Sequence, residues 1–230
     1  IATNLTTELI RGVQLFVHDR FLGTTSLITK GMTGGGANAA PGDPSISGDG
    51  RYVVFSSMAT NLVTGVSGER SQVFLHDRTL QRTTLVSEAA IGGEGDWDSR
   101  YPLVSSDGRF VVFNSVATNL QAVPVQLDIW RIYIRDLWTN STSRIWGNNG
   151  AEPNGTSFVN SLSADGRFIT FESWADNMMI HADLNKQVDV FVLDQVTGLV
   201  RRASEDSIGV GGDRPGHRGA ISMEGQFVAF

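Results

Sequence analysis

The sequence predicts an all-β fold, a β-propeller of four four-stranded blades closed two strands on two. Three observations carry this. One stretch of about 58 residues recurs four times along the chain; each copy holds four strand signals separated by turn residues; and the copies are cut so that the two ends supply complementary halves of one blade.

The repeat is read directly from the residues. Ser47-Gly48-Asp49-Gly50-Arg51-Tyr52-Val53-Val54-Phe55 returns as Ser105-Ser106-Asp107-Gly108-Arg109-Phe110-Val111-Val112-Phe113 and as Ser163-Ala164-Asp165-Gly166-Arg167-Phe168-Ile169-Thr170-Phe171. An altered copy, Ser222-Met223-Glu224-Gly225-Gln226-Phe227-Val228-Ala229-Phe230, closes the chain, and the acidic positions are 58, 58 and 59 residues apart. Further marks keep the same step. Ala2-Thr3-Asn4-Leu5 recurs at 59–62, at 117–120 and, altered, at 175–178. Phe16-Val17-His18-Asp19 recurs at 74–77, 133–136 and 191–194. A polar residue precedes each Ser of the first mark by nine positions: Asn38, Asp96, Asn154, Asp213.

Each element follows from local chemistry. A first strand ends at the Ser-x-Asp-Gly turn, whose Asp bonds nearby amides. The second strand is Arg-aromatic-Val-Val-Phe. The third ends at His76-Asp77 or its equivalent, and the fourth is Thr83-Thr84-Leu85-Val86-Ser87 and its relatives. The second and third strands are apolar at consecutive positions, the pattern of a sheet covered on both faces. No segment carries a 3.6-residue apolar period, so helix is not expected. The whole chain, 1–230, reads as a single domain, with units at 1–44 plus 221–230, 45–102, 103–160 and 161–220. The rival reading is an excised part of a six- to eight-bladed ring. Ile1 is not Met, so the chain reads as a processed product or a piece of something longer.

The repeat resembles that of the TolB-like propellers, relatives of the WD-repeat propellers. The strings at 47–55, 59–62 and 73–78 carry the likeness, which covers essentially the whole chain. It implies a propeller fold. It is weak on function, because such propellers serve as binding scaffolds, enzyme gates and occasionally enzymes.

Composition narrows the classes. With a net charge of −6 and no Lys/Arg run, nucleic acid is not an expected partner. With no cysteine there is neither a disulfide framework nor a thiolate metal site. No apolar run approaches the length of a membrane span. The expected setting is an exported one: periplasmic, cell-surface or secreted. No nucleophile elbow, Walker or zinc-protease motif occurs, so no catalytic residue is assigned.

Loop lengths pick out the working face. First–second and third–fourth turns are short and share one face; second–third loops and blade connections are long and share the other. Residues repeated in every copy serve the frame, whereas those that vary at long-loop positions are free for a ligand. The varied set before the inner strands is Asp43, then Arg100 and Tyr101, then Phe158, then His217 and Arg218, with Trp97 nearby. Aromatic faces and arginines in such a set suit a protein or glycan ligand. His18 and His76 read as frame residues, because Arg135 and Leu193 replace them in the other copies. Asp183, Asn185 and Asp189 place oxygen donors at relative positions 1, 3 and 7, a start for calcium, although Lys186 stands where a tight loop wants Gly. No other cofactor is expected. The expected role is a non-catalytic binding scaffold. The alternatives are the gating propeller of a larger hydrolase and a propeller lyase built on His217, Arg218, Arg100 and Asp43. Oligomeric state is left open by the residues.

Overall fold

In a computed structural model, the structure describes residues 12–123, 125, 128–148, 150–179, 186–206, 211–212 and 214–230. Sixteen strands and no helix are found among them. Three antiparallel four-stranded blades follow one another: β3 (Pro41–Ile46) to β6 (Arg82–Leu85), β7 (Ser99–Val104) to β10 (Ser141–Arg144), and β11 (Ser157–Leu162) to β14 (Leu199–Arg202). Within each, sequence neighbours are sheet neighbours. Two half-blades flank them, β1–β2 (Phe16–Asp19, Thr24–Leu27) and β15–β16 (Ala220–Ile221, Val228–Ala229). These halves stand as separate two-stranded sheets. The unit boundaries expected at 45, 103 and 161 cut through first strands, which begin at 41, 99 and 157. As expected, the Ser-x-Asp-Gly turn follows the end of each of these first strands.

The apolar second and third strands face two ways, as the consecutive pattern requires. Val53 and Phe55 of β4 (Tyr52–Ser57) join Ile28 and Val17 on the side of the first half-blade, whereas Val54 joins Phe113 and Tyr133 of the next blade. Val112 and Ile134 repeat the arrangement toward Ile169, Phe171 and Phe191. In each blade the second-strand Phe lies opposite a third-strand aromatic in register and stacks on it: Phe55 on Phe74 at 5.8 Å, Phe113 on Tyr133 at 5.8 Å, Phe171 on Phe191 at 5.5 Å between centroids.

The recurring polar marks form two clamps, one at each end of the blade. At the short-turn end, Arg51, Arg109 and Arg167 pair with Asp77, Asp136 and Asp194, with Nη2–Oδ2 distances of 2.7, 2.7 and 2.9 Å. In the turn itself, Asp49, Asp107 and Asp165 accept from the Ser hydroxyl and from the Arg amide, at 2.6–3.0 Å throughout. At the long-loop end, Asn61, Asn119 and Asn177 accept an amide from Asn38, Asp96 and Asn154 at 2.9–3.0 Å. Their Nδ2 groups donate to the carbonyls of Gly36, Glu94 and Glu152. Each blade's second–third loop is thereby stitched to the connection that enters the blade. Asp213, the fourth polar mark, lies outside the described residues.

Successive blades also join backbone to backbone. Gly48 N–H donates to Ser106 O, Ser106 N–H to Ala164 O, and Ala164 N–H to Met223 O, at 2.8–2.9 Å. Gly108 and Gly166 sit at positive φ with no room for a Cβ, because Tyr52 and Phe110 of the preceding blade pack against them.

Candidate functional site: an aromatic ladder at the inner strands

Each first strand carries a bulge near its long-loop end. Register shifts occur between Gly42 and Ser45, Arg100 and Leu103, and Val159 and Ser161. Asp43 and Tyr101 sit in these bulges, Arg218 holds the equivalent position ahead of β15, and all three take positive φ, 52°, 55° and 54°. Non-glycine residues seldom adopt that region, and bulges re-aim side chains. The third blade has Val159 at this position, a β-branched residue absent from the positive-φ set.

The bulges of the second and third blades, with the loops beside them, bring together five rings. Tyr101 lies 6.3 Å from Trp130 and 6.1 Å from Phe158; Phe158 lies 6.1 Å from Trp130 and 6.1 Å from Trp174; Trp174 lies 6.5 Å from His217. The Tyr101–Phe158 and Phe158–Trp174 contacts are edge-to-face, at 81° and 89°. Tyr101 and Trp174 remain 45% and 49% exposed, so the ladder presents ring surface to solvent at both ends of Phe158.

A carboxylate anchors the far end. Glu172 stands opposite Phe158 in register, with Oε2 3.4 Å from His217 Nδ1 and accepting the Arg218 amide at 3.1 Å. The site thus offers apolar ring faces beside one acid and one imidazole.

Of the residues expected from the sequence, Tyr101, Phe158, His217 and Arg218 come together here. Asp43 does not join them; its Oδ2 accepts from Ser56 at 2.9 Å on its own blade. Arg100 pairs with Asp98 at 3.2 Å. Trp97 is engaged by the Arg70 guanidinium, 4.1 Å above its ring. Sequence reading missed Trp130, Trp174 and Glu172. The signal was present: Glu172 occupies the second-strand position held by Ser56 and Asn114, and Trp174 that held by Met58 and Val116.

The His18 and His76 position is part of the frame. His18 and His76 Nδ1 meet Thr25 and Thr83 across the strand pair at 2.9 and 3.0 Å, and Arg135 Nη1 meets Thr142 at 3.0 Å. Burial pushes the His76 imidazole below its usual range. Asp183 and Asn185 of the calcium expectation lie outside the described residues. Asp189 is buried, accepting from Ser204 at 2.8 Å and pairing with Arg202 at 3.3 Å. A concavity of about 910 Å³ lies away from the ladder, around the outer strand β6 and beside Arg135.

Among solved structures, TolB from Acinetobacter baumannii matches over 94% of this chain at 20% identity with a TM-score of 0.50. The fold is that of the TolB-like β-propellers. Prolyl endopeptidases match over 91% of the chain at 14% identity and TM-score 0.54, and an oligogalacturonate lyase in complex with manganese over 84% at 11% and 0.53. The chain spans 42% of that TolB, 27% of the endopeptidase and 48% of the lyase. No family model and no curated protein sequence matches the chain. At these identities the chain shares a scaffold with these neighbours, and any role has to be argued from its own residues.

Proposed function

We propose that the propeller is a non-catalytic binding scaffold of an exported protein, holding a glycan or protein ligand on its long-loop face. The observation that supports this is the ladder of Tyr101, Trp130, Phe158, Trp174 and His217, with exposed rings on an inner strand at Tyr101 and in a second–third loop at Trp174. Ring faces stack on the apolar faces of sugars or on peptide side chains, and Glu172 with His217 supplies hydrogen bonds that fix orientation. The test is a glycan array together with a peptide array, probed with wild type and Trp174→Ala. Binding that falls at least about tenfold in the variant supports the reading; on a stacking contact worth about 1.5 kcal/mol, that is the expected size. No binding on either array, or equal binding by the variant, removes it.

The two half-blades are read as complements. Phe230, next after β16, stands at the position of Phe55, Phe113 and Phe171; β1 carries Phe16 at the position of Phe74, Tyr133 and Phe191. Phe230 is 60% exposed where its three counterparts are fully buried. Pairing β16 on β1 in that register would close a ring of four blades and form a fourth stacked pair. Paired cysteines at 230 and 16 that cross-link within one chain are the expected result; failure to cross-link under oxidation counts against closure.

A further inference from the structure

The second blade breaks a pattern that its neighbours keep. Where the third strand begins, the other copies place Gln14, Gln72 and Asp189, and each meets a hydroxyl two residues beyond its fourth strand's end position: Thr29 at 2.7 Å, Ser87 at 2.6 Å and Ser204 at 2.8 Å. The second blade has Arg131 there, and Trp146 in place of the hydroxyl. At the end of the fourth strand, Leu27 and Leu85 are replaced by Arg144 in the second blade and Arg202 in the third. In the third blade the charges balance, because Arg202 pairs with Asp189 at 3.3 Å.

In the second blade they do not. Arg131 and Arg144 side chains are 4% and 1% exposed, and both share one carboxylate, Glu152. Arg131 Nε donates to Glu152 Oε1 at 2.5 Å and Nη1 donates to Ile129 O at 2.8 Å, but Nη2 is buried without a partner. Arg144 Nη1 pairs with Glu152 Oε1 only at 3.5 Å and the guanidinium interacts with the Tyr133 hydroxyl, but none of its buried Nε, Nη1 and Nη2 makes a well-formed hydrogen bond. Two buried cations therefore face one acid, with four guanidinium nitrogens lacking a well-formed hydrogen bond. A buried charge without compensation is costly, and a guanidinium fork matches the geometry of an oxyanion. Trp146, partly exposed, lies over Arg144 at 4.2 Å and covers the fork.

We propose that Arg131 and Arg144 form a site for an oxyanion, which displaces Trp146 from Arg144 and takes up the unpaired guanidinium donors. The shared ligand chemistry is a group of two or more anionic oxygens, planar as in a carboxylate or tetrahedral as in a sulfate. Glu152 competes with the ligand for Arg131 and sets its affinity. The site goes beyond the ladder and does not depend on it.

The experiment titrates sodium sulfate and, separately, sodium acetate against the folded protein by calorimetry and tryptophan fluorescence, with sodium chloride holding ionic strength constant. One-to-one saturable binding of either anion is expected, and the tighter of the two tells tetrahedral from planar. Glu152→Gln should tighten it at least about threefold, as removal of a competing carboxylate near a partly buried arginine predicts. Arg144→Leu should abolish it, and Trp174→Ala should leave it unchanged. Absence of saturation with both anions, or undiminished binding by folded Arg144→Leu, overturns the proposal. If Arg144→Leu does not fold, Glu152→Gln decides, and unchanged or weaker binding overturns it.

Discussion

Phe113→Ala is the sharpest test of how the blades hold together. Phe113 is fully buried between the first and second blades, among Val54, Val73, Leu75, Val111 and Tyr133. Its ring stacks on Tyr133 with centroids 5.8 Å apart and planes 20° apart. Truncation of a buried Phe costs about 3–5 kcal/mol, the cavity included, and loss of a stacked partner worth about 0.5–1.5 kcal/mol places this site toward the upper end. With a urea m-value of roughly 2–3 kcal/mol/M for a chain of this size, the midpoint should fall by about 1.5–2 M. Phe113→Leu, which keeps much of the buried volume and loses the ring face, should cost about 1–2 kcal/mol. The repeat supplies its own controls at 55, 171 and 230. The first two should match Phe113→Ala within about 1 kcal/mol. Phe230→Ala should match them as well if β16 pairs with β1 as proposed, and a cost under about 1 kcal/mol there refutes closure. A Phe113→Ala cost below about 1.5 kcal/mol refutes the account of inter-blade packing itself.

Three other outcomes are expected. The Arg109 and Arg167 guanidiniums, helped by nearby backbone amides, hold the Asp136 and Asp194 carboxyls below the usual carboxylate range. Folded values below unfolded ones mean that this stability is present above about pH 4 and lost as pH falls further. Melting curves from pH 6 to 2 should therefore show a steep acid limb that Asp136→Asn makes shallower; an unaltered limb counts against the pairing. Asn119→Ala removes an acceptor for the Asp96 amide and a donor to Glu94 O, so it should cost about 1–3 kcal/mol and speed amide exchange through 88–98. Equal exchange in variant and wild type would show that the clamp does not restrain the connection. Gly108→Ala would drive its Cβ into Tyr52, whereas Gly65→Ala meets open space at a similar positive φ. Chemical denaturation should rank Gly108→Ala the worse by at least about 1 kcal/mol, and parity would mean that the inter-blade contact at Gly108 is loose.

The frame was legible because the repeat averages out everything specific. Asp49, Asp107 and Asp165 read as turn formers, and their bonds to Ser47, Ser105 and Ser163 bear that out. The apolar pairs at 53–54 and 111–112 read as two-faced strands and are packed on both sides. What each mark pairs with was not legible. That Arg51 reaches Asp77, or that Asn38 reaches Asn61, depends on bringing together residues more than twenty positions apart, and register alone decides it. The site was half visible. Variation at the bulge singled out Tyr101 and His217, but it also singled out Asp43 and Arg100, which the structure keeps on their own blades. Trp130 and Trp174 escaped because they stand in the second–third loops, away from the varied positions before the inner strands. Glu172 escaped because one acid inside an apolar strand reads as a frame residue until it is compared with Ser56 and Asn114 at the same height.

The left-handed backbone position at 43, 101 and 218 has a consequence for how such a molecule can change. Both clamps and the stacked pairs draw on other positions, so the mount and its cargo are chemically uncoupled. An aspartate, a tyrosine and an arginine already sit on that mount with nearly the same backbone angle. If the surface binds as proposed, exchanging the groups displayed there would alter what it grips while leaving the supports intact, one blade at a time.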